Sequence, residues 1–224
     1  MNIRTVRQIS ACALVSMGFG LASSVQASSV TLDWNDSGWY TDSGNHSATN
    51  KNYIVRTNGN GNMRNYFVFD LSSVAGTITG ATLKLTNPQT SAISTASYTL
   101  YDYAGAISSL ETDTSNLGIY DDLGTGAVYG TQNNFRSSLS NLSLNSAALS
   151  ALNSNHGLFA LGGALTSTGE SYFETYGNTG YAMNVRQLVL TVSDSPTAVP
   201  EPGTLALASL GLLGISALRR RKNA

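Results

Sequence analysis

The sequence predicts an all-β fold, an antiparallel β-sandwich of jelly-roll type with one short helix. Short segments in which apolar and polar residues alternate recur along the chain, as in strands with one buried face. Gly, Asn and Ser separate these segments, and they favour the tight turns of antiparallel sheets. Helical segments do not alternate with the strands, as they do in a parallel sheet. Many short strands of this kind pack as two facing layers.

The most regular predicted strand is 64–71. Phe67 and Phe69 lie on one face and Tyr66 and Val68 on the other, so we expect both faces to be covered. The other strands alternate less regularly or are shorter. The predicted set is 29–34, 52–57, 64–71, 81–86, 97–103, 158–164, 171–176 and 187–193.

Residues 145–153 are predicted to form the one helix of the folded body. Asn145 can cap its first turn, three alanines favour the helical conformation, and Gly157 lies just beyond its end. The segment 107–130 fits neither the helical nor the strand period, and its secondary structure stays open. After the first strand, residues 35–50 are interpreted as a long polar loop.

The first 27 residues have the pattern of a secretory signal peptide. Arg4 and Arg7 precede an apolar segment, 9–21, and small residues at Val25 and Ala27 fit cleavage after Ala27. We therefore expect an exported protein. The chain has a single cysteine, Cys12 in this segment, so the mature protein has no disulfide to stabilise it.

Residues 199–224 form a tail in three parts. Pro200-Glu201-Pro202 is extended and accessible, because proline fixes φ and removes a backbone donor. The apolar segment 205–218 follows, and as a helix it spans only about 21 Å of a hydrocarbon core about 30 Å thick. We therefore expect transient membrane contact, with a weak permanent anchor or a buried helix as alternatives. Four cations close the tail and should stay in the cytoplasm: Arg219, Arg220, Arg221 and Lys222.

This order of parts resembles the PEP-CTERM sorting signal of Gram-negative bacteria. The matching features are Val199-Pro200-Glu201-Pro202, the short apolar helix and the terminal basic cluster. The resemblance implies that an exosortase, an intramembrane cysteine transpeptidase, recognises the Pro-Glu-Pro motif and removes the tail. It also implies delivery to the cell envelope, the cell surface or the extracellular matrix.

Between these ends lies a body, residues 28–198, long enough for one domain with a hydrophobic core. It holds six basic and twelve acidic residues, a net charge of −6, whereas the whole chain carries −1. Because nucleic-acid binding needs a concentration of positive charge, we expect no nucleic-acid partner.

Part of the body shows a second resemblance. The sequences NYIV at 52–55, RNYFVFDLS at 64–72 and ITGATLKL at 78–85 resemble the start of DNRLRE-type domains. These are bacterial surface β-sandwiches similar in shape to carbohydrate-binding modules. The resemblance implies a fold and supplies no catalytic residues.

Two clusters have side chains suited to ligands. Trp34, Trp39, Tyr40 and Asp36 are candidate glycan-binding residues, because aromatic rings stack on sugar faces and carboxylates accept from hydroxyls. The alternative is that the tryptophans pack within the core or the loop. Asp121 and Asp122 form an oxygen-rich turn that is a candidate Ca²⁺ site, with an ordinary solvated turn as the alternative.

The sequence shows no arrangement of residues that is typical of a catalytic site. Glu170 and Glu174 are about 13 Å apart in a strand, too far for either glycosidase geometry. His46 and His156 are predicted to be surface loop residues outside any metal-ligand spacing. The sequence therefore predicts a secreted, non-catalytic surface or matrix protein, with polysaccharide as candidate ligand and Ca²⁺ as candidate cofactor. A polysaccharide-acting enzyme and a self-associating structural adhesin are the alternatives.

Overall fold

The computed structural model describes residues 27–57, 61–86, 90–91, 97–133, 139–166, 171–173 and 185–193. The predicted signal peptide up to residue 26, the predicted tail helix, Glu170 and Glu174 lie outside these ranges. The β-rich unit itself extends from Val25 to Thr197. The predicted boundaries of the mature body, 28 and 198, stay a prediction.

The described chain is mostly antiparallel β-strand with three short helices. The strands are β1 Ala27–Thr41, β2 Val55–Thr57, β3 Met63–Asp70, β4 Thr77–Thr86, β5 Thr90–Ser91, β6 Tyr98–Asp102, β7 Val128–Gln132, β8 Leu139–Ser143, β9 Leu158–Leu165, β10 Ser171–Phe173 and β11 Arg186–Ser193. The helices are α1 Ile107–Thr112, α2 Leu117–Asp122 and α3 Ser146–Ser154.

Strand β1 belongs to two halves of the sheet. Its residues 27–33 pair with β11, whereas residues 34–41 pair with β3, and the register shifts between Trp34 and Asp36. The first half continues from β11 to β4 and β8. The second half contains β3, β9, β6 and β7, with β2, β10 and β5 at its other side.

The main hydrophobic core lies between the two halves. From the first half it receives buried aliphatic side chains, and from the second half mostly aromatic ones, which together fill the space between facing layers. These include Leu83, Leu85, Leu142, Leu188 and Leu190 on one side and Phe67, Phe69, Tyr98, Phe159 and Leu161 on the other. The predicted antiparallel all-β sandwich is confirmed, and its sheet is nearly closed.

Helix α3 confirms the predicted helix and packs Ala148 and Leu152 into the main core. Asn145 caps it as expected, because its side-chain oxygen accepts from the Ala148 N–H at 3.1 Å. Near its other end, the Asn153 side chain bonds both backbone groups of Ile78 at 2.8 Å. These bonds attach the helix to β4.

A second, smaller core covers the outer face of β3. Tyr66 and Val68 point away from the main core and meet apolar residues of α1 and α2, including Leu110 and Ile119. The expectation that β3 is buried on both faces is therefore confirmed. The prediction of a single helix is wrong, because α1 and α2 are also helical. Each has only six residues, too few to show a helical period in the sequence.

Truncation of Phe69 tests the main core. Phe69 is fully buried, so Phe69→Ala should cost about 3–5 kcal/mol of unfolding free energy and lower the Tm by about 6 °C or more. Thermal unfolding followed by circular dichroism measures the shift. The matched control is Leu117→Ala, since that side chain is 52% exposed and should change stability by less than about 0.5 kcal/mol. A Tm change of one degree or less for Phe69→Ala would contradict the assigned core.

Candidate functional site

The four residues predicted to bind glycan lie on two opposite faces of β1. Trp34 and Trp39 are paired with Phe69 and Asn65 and share the inner face, whereas Asp36 and Tyr40 share the outer face. They therefore do not form one aromatic platform. The loop predicted for residues 35–50 is also wrong up to Thr41, because β1 continues to that residue.

Trp34 is half-buried and has a cation on its ring. The guanidinium of Arg186 lies 3.7 Å from the ring centroid, and Arg186 is itself 1% exposed. The same guanidinium donates to the Ser37 hydroxyl at 2.8 Å and to the Lys51 carbonyl at 2.9 Å. This face of Trp34 is thus used inside the protein rather than offered to a sugar ring.

Asp36 and Tyr40 are also engaged inside the protein. The Asp36 carboxylate lies 2.6 Å from the Lys51 ammonium and accepts from the Ser37 N–H at 2.8 Å. The Tyr40 hydroxyl donates to the carbonyls of Leu110 and Asp113, at 3.0 and 2.8 Å, and so attaches β1 to α1. Because Asp36 is 5% exposed and Tyr40 fully buried, these residues have structural roles in this arrangement.

His46, predicted at the surface, is buried against two tyrosines. Its ring stacks on Tyr40, with centroids 4.4 Å apart, and meets Tyr66 edge-on at 5.8 Å. Its Nδ1 lies 2.9 Å from the Trp39 carbonyl and donates to it. Burial lowers the pKa of His46, and the Lys51 charge acts in the same direction, while the Trp39 and Glu111 carbonyls and the Asp36 charge oppose the shift. His156 is exposed as predicted.

Glu111 of α1 completes this buried polar cluster. Burial raises the pKa of Glu111, the Asp36 charge adds to the rise, and the Lys51 charge opposes it. Within the part of the chain that the structure describes, its Oε1 is buried without a hydrogen-bond partner. Two carboxylates with different environments lie near each other here, but Asp36 is shielded from solvent by its own chain.

Asp121 and Asp122, the candidate Ca²⁺ residues, are the last two residues of helix α2, and each makes different contacts within the protein. The Asp122 carboxylate accepts from the backbone N–H groups of Ala104 and Gly105, at 3.0 and 3.2 Å. The Asp121 carbonyl accepts from Arg64, whose guanidinium also stacks on Tyr120. Among the described residues, no group of three or more acidic, histidine or cysteine side chains is placed to hold a metal ion. A Ca²⁺ ion would need six to eight oxygens, so other ligands would have to supply most of its shell.

A cleft of about 370 Å³ opens elsewhere, between the start of α1 and the end of α3, with β9 as its floor. We call it the α1–α3 cleft. Its volume lies in the range of small-molecule sites, about 300–1,000 Å³. Its lining combines aromatic, aliphatic and polar residues, among them Asp102, Tyr103, Ile107, Tyr129, Ser154 and Leu158.

Two polar groups in the α1–α3 cleft are left for a ligand. Asp102 uses Oδ1 to accept from the Ala127 N–H at 2.7 Å, while its Oδ2 makes no hydrogen bond to any described residue. The Tyr129 hydroxyl likewise makes no hydrogen bond to a described residue, and although the residue is only 6% exposed, the hydroxyl is not enclosed by the protein. Burial raises the pKa of Tyr129, and the negative charge of Asp102 adds to the rise. The phenol therefore stays protonated and is a donor next to an acceptor.

Local sequence patterns gave no signal for the α1–α3 cleft. Asp102 is the last residue of β6, and Tyr129 lies in the segment 107–130 that had no clear period. The lining comes from three strands and two helices that are distant in sequence. Only their pairing, β6 with β7 and with β9, brings these residues together.

The buried position of His46 predicts a pH-dependent stability. Its folded-state pKa is lower than the unfolded value of about 6.5, so its contribution is complete above that pH and is lost as the pH falls below it. Because one proton is involved, the free energy of unfolding should fall by at most about 1.4 kcal/mol for each pH unit. Urea unfolding at pH 7.5, 6.5 and 5.5 measures this loss.

Two variants separate His46 from the other titrating groups. His46→Gln should reduce the loss of stability between pH 6.5 and 5.5, whereas the exposed control His156→Gln should retain it. The raised pKa of Glu111 acts in the opposite sense and is common to all three proteins, so it cancels in the comparison. Equal pH dependence in the parent and His46→Gln would show that His46 is not responsible.

Comparison with known proteins concerns the tail. None of the described helices is long and apolar enough to cross a membrane, and the apolar segment 205–218 lies outside the described residues. No curated protein matches the chain. The resemblance of residues 52–85 to DNRLRE-type domains finds no support in these comparisons.

Residues 198–222 match the PEP-CTERM protein-sorting motif. The match covers Val199-Pro200-Glu201-Pro202, the apolar segment and the cluster from Arg219 to Lys222, the three parts recognised in the sequence. The resemblance to PEP-CTERM proteins is therefore confirmed. The chain is an exported bacterial protein that carries a PEP-CTERM motif and is sorted to the cell surface by exosortase.

Proposed function

We propose that this protein is a non-catalytic, polysaccharide-binding component of the cell surface or extracellular matrix of a Gram-negative bacterium. Sorting by exosortase brings the body to the cell surface, where a polysaccharide ligand is accessible to it. The observation that supports binding is the α1–α3 cleft, whose lining includes the Tyr129 phenol and the Asp102 Oδ2, neither hydrogen-bonded to a described residue, together with aromatic and aliphatic side chains. Such a combination suits sugar hydroxyls and sugar C–H faces.

The carboxylates near the α1–α3 cleft favour binding over catalysis. Glycosidases of the common types use two carboxyl groups on either side of the scissile bond. Asp102 is the one acidic residue in the described lining, and Asp122 nearby holds the backbone of Ala104 and Gly105. In the Asp36–Glu111 pair, Asp36 is only 5% exposed and is paired with Lys51, so it is not available to a polysaccharide chain.

Retention on polysaccharide tests the proposed function. The exported protein, recovered from its producing cells, is applied to immobilised polysaccharide extracted from the same cells. Binding without release of reducing ends supports the proposal. Release of reducing ends favours the alternative of a polysaccharide-acting enzyme. A mass that increases with protein concentration, without glycan and without retention, favours the self-associating adhesin.

Replacement of the sorting motif tests the route to the surface. Changing Pro200, Glu201 and Pro202 to Ala should leave the body folded but held in the membrane, because the apolar segment remains while the recognition element is lost. Fractionation of the producing cells, followed by immunoblotting for the body, measures the distribution. Equal arrival of parent and triple-Ala variant at the cell surface would show that the tail is a plain anchor and that sorting through this motif is wrong.

The matched control removes the anchor instead of the motif. Deletion of residues 205–224 eliminates the apolar segment and its cations, so folded protein should appear in soluble form. Opposite distributions for the two variants distinguish sorting by recognition from retention by a plain anchor. A deletion variant that stays in the membrane would indicate a second anchor in the chain.

A further inference from the structure

We propose that the α1–α3 cleft binds one neutral sugar unit of the polysaccharide, with Tyr129 as hydrogen-bond donor and Asp102 as acceptor. This inference rests on the proposed function and places it at named residues. The sequence had suggested the tryptophan region of β1, where the structure instead uses the side chains internally.

The donor and the acceptor fit neighbouring hydroxyl groups. A sugar hydroxyl can donate to one group and accept from another, so it can bridge a phenol and a carboxylate. Tyr129 and Asp102 come from β7 and from the end of β6, two paired strands, and the Asp102 charge acts on the Tyr129 phenol. The Tyr129 hydroxyl makes no hydrogen bond to a described residue and is reachable from the cleft, so a sugar hydroxyl can take the place of water there.

The apolar part of the α1–α3 cleft suits a sugar ring. Tyr129 and Phe159 lie nearly parallel, with ring centroids 6.2 Å apart and planes inclined by 13°. Ile107 and Leu158 extend the lining, and Leu158 is 38% exposed, so its side chain is accessible to a ligand. The two rings belong to the main core and are each 6% exposed, so they form a firm floor, and a sugar C–H face would cover the partly exposed side chains of Ile107 and Leu158.

The charge of this region favours a neutral sugar over a uronic acid. Asp102 lines the α1–α3 cleft, and Asp122 lies against Gly105 at its rim. The body as a whole carries −6. A carboxylated sugar would therefore meet like charges where water is partly excluded, and such contacts are unfavourable.

The lining is held in place before a ligand arrives. Asp102 is fixed by the bond to Ala127, and the Asn145 side chain donates to the Val128 carbonyl at 2.7 Å. On the other side, Asn155 accepts from the Gly157 N–H at 2.7 Å and donates to the Leu158 carbonyl at 3.0 Å. A preformed lining reduces the ordering that binding requires.

Variants of the α1–α3 cleft test the inference on the full exported protein. Tyr129→Phe and Asp102→Asn should each weaken retention on the cells' own polysaccharide by about threefold to tenfold, the value of one lost hydrogen bond. Ser154→Phe, at an exposed position of the lining, should obstruct the α1–α3 cleft without disturbing the core. Tyr101→Phe is the matched control, because Tyr101 also lies in β6 but outside the lining, and it should bind like the parent.

Soluble oligosaccharides test the chemical class. Maltotetraose, cellotetraose and xylotetraose serve as neutral competitors and tetragalacturonate as the anionic one. We expect at least one neutral competitor to displace the parent protein and tetragalacturonate to have no effect. Displacement by tetragalacturonate alone, or by no neutral competitor, contradicts the inference.

The outcomes separate this inference from the proposed function. If the parent is retained on the polysaccharide and all three cleft variants are retained equally, the sugar site lies elsewhere while the proposed function stands. If the parent is not retained on the polysaccharide, the proposed function and this inference are both wrong. Thermal unfolding of each variant identifies any that have lost the fold, and Ser154→Phe then decides, since its side chain is exposed in the parent.

Discussion

The rest of the structure depends on one buried cation at the point where β1 changes partners. Arg186 begins β11, its guanidinium stacks on Trp34, and it bonds Ser37 just beyond the register shift. A third contact, to the Lys51 carbonyl, joins the segment that follows β1. A buried charge is costly without close partners, so few other conformations are possible where β1 passes from one half of the sheet to the other. Together with the continuous strand β1, which pairs with both halves of the sheet, these contacts hold the two halves in their relative position.

A second set of polar contacts connects the second part of β1 with the α1–α3 cleft. The Tyr40 hydroxyl, on the outer face of β1, donates a hydrogen bond to a backbone carbonyl of α1. In the same way, Arg64 of β3 donates to a backbone carbonyl at the end of α2. A positive charge at a helix C-terminus is favourable. From the end of α2, Asp122 fixes the backbone at Gly105, which borders the α1–α3 cleft. Asp122, one of the two residues that suggested a metal site, thus helps to shape the neighbouring cleft.

The sequence predicted those elements whose pattern is local. Strand β3 alternates regularly, and α3 has a capping asparagine and a run of alanines, so both were found. The second part of β1 was missed because the register shift at Asn35 interrupts the alternation of inner and outer side chains along the strand. Trp34 and Trp39 consequently share a face although they are five residues apart. The α1–α3 cleft could not be predicted, because its residues meet only through the pairing of distant strands.

The exported body must keep this geometry without disulfides, since the chain has only one cysteine. Buried side-chain networks supply part of the constraint that a disulfide would give. The Tyr98 hydroxyl donates to Asn65 at 2.7 Å, and the Asn65 amide donates to the Tyr53 carbonyl at 3.2 Å, which links β6 and β3 with the segment before β2. Such networks specify one arrangement, because leaving any member unpaired is costly. They hold β6 in place, and Asp102 is its last residue, so the polar contacts that stabilise the body also position the acceptor of the proposed sugar site beside Tyr129.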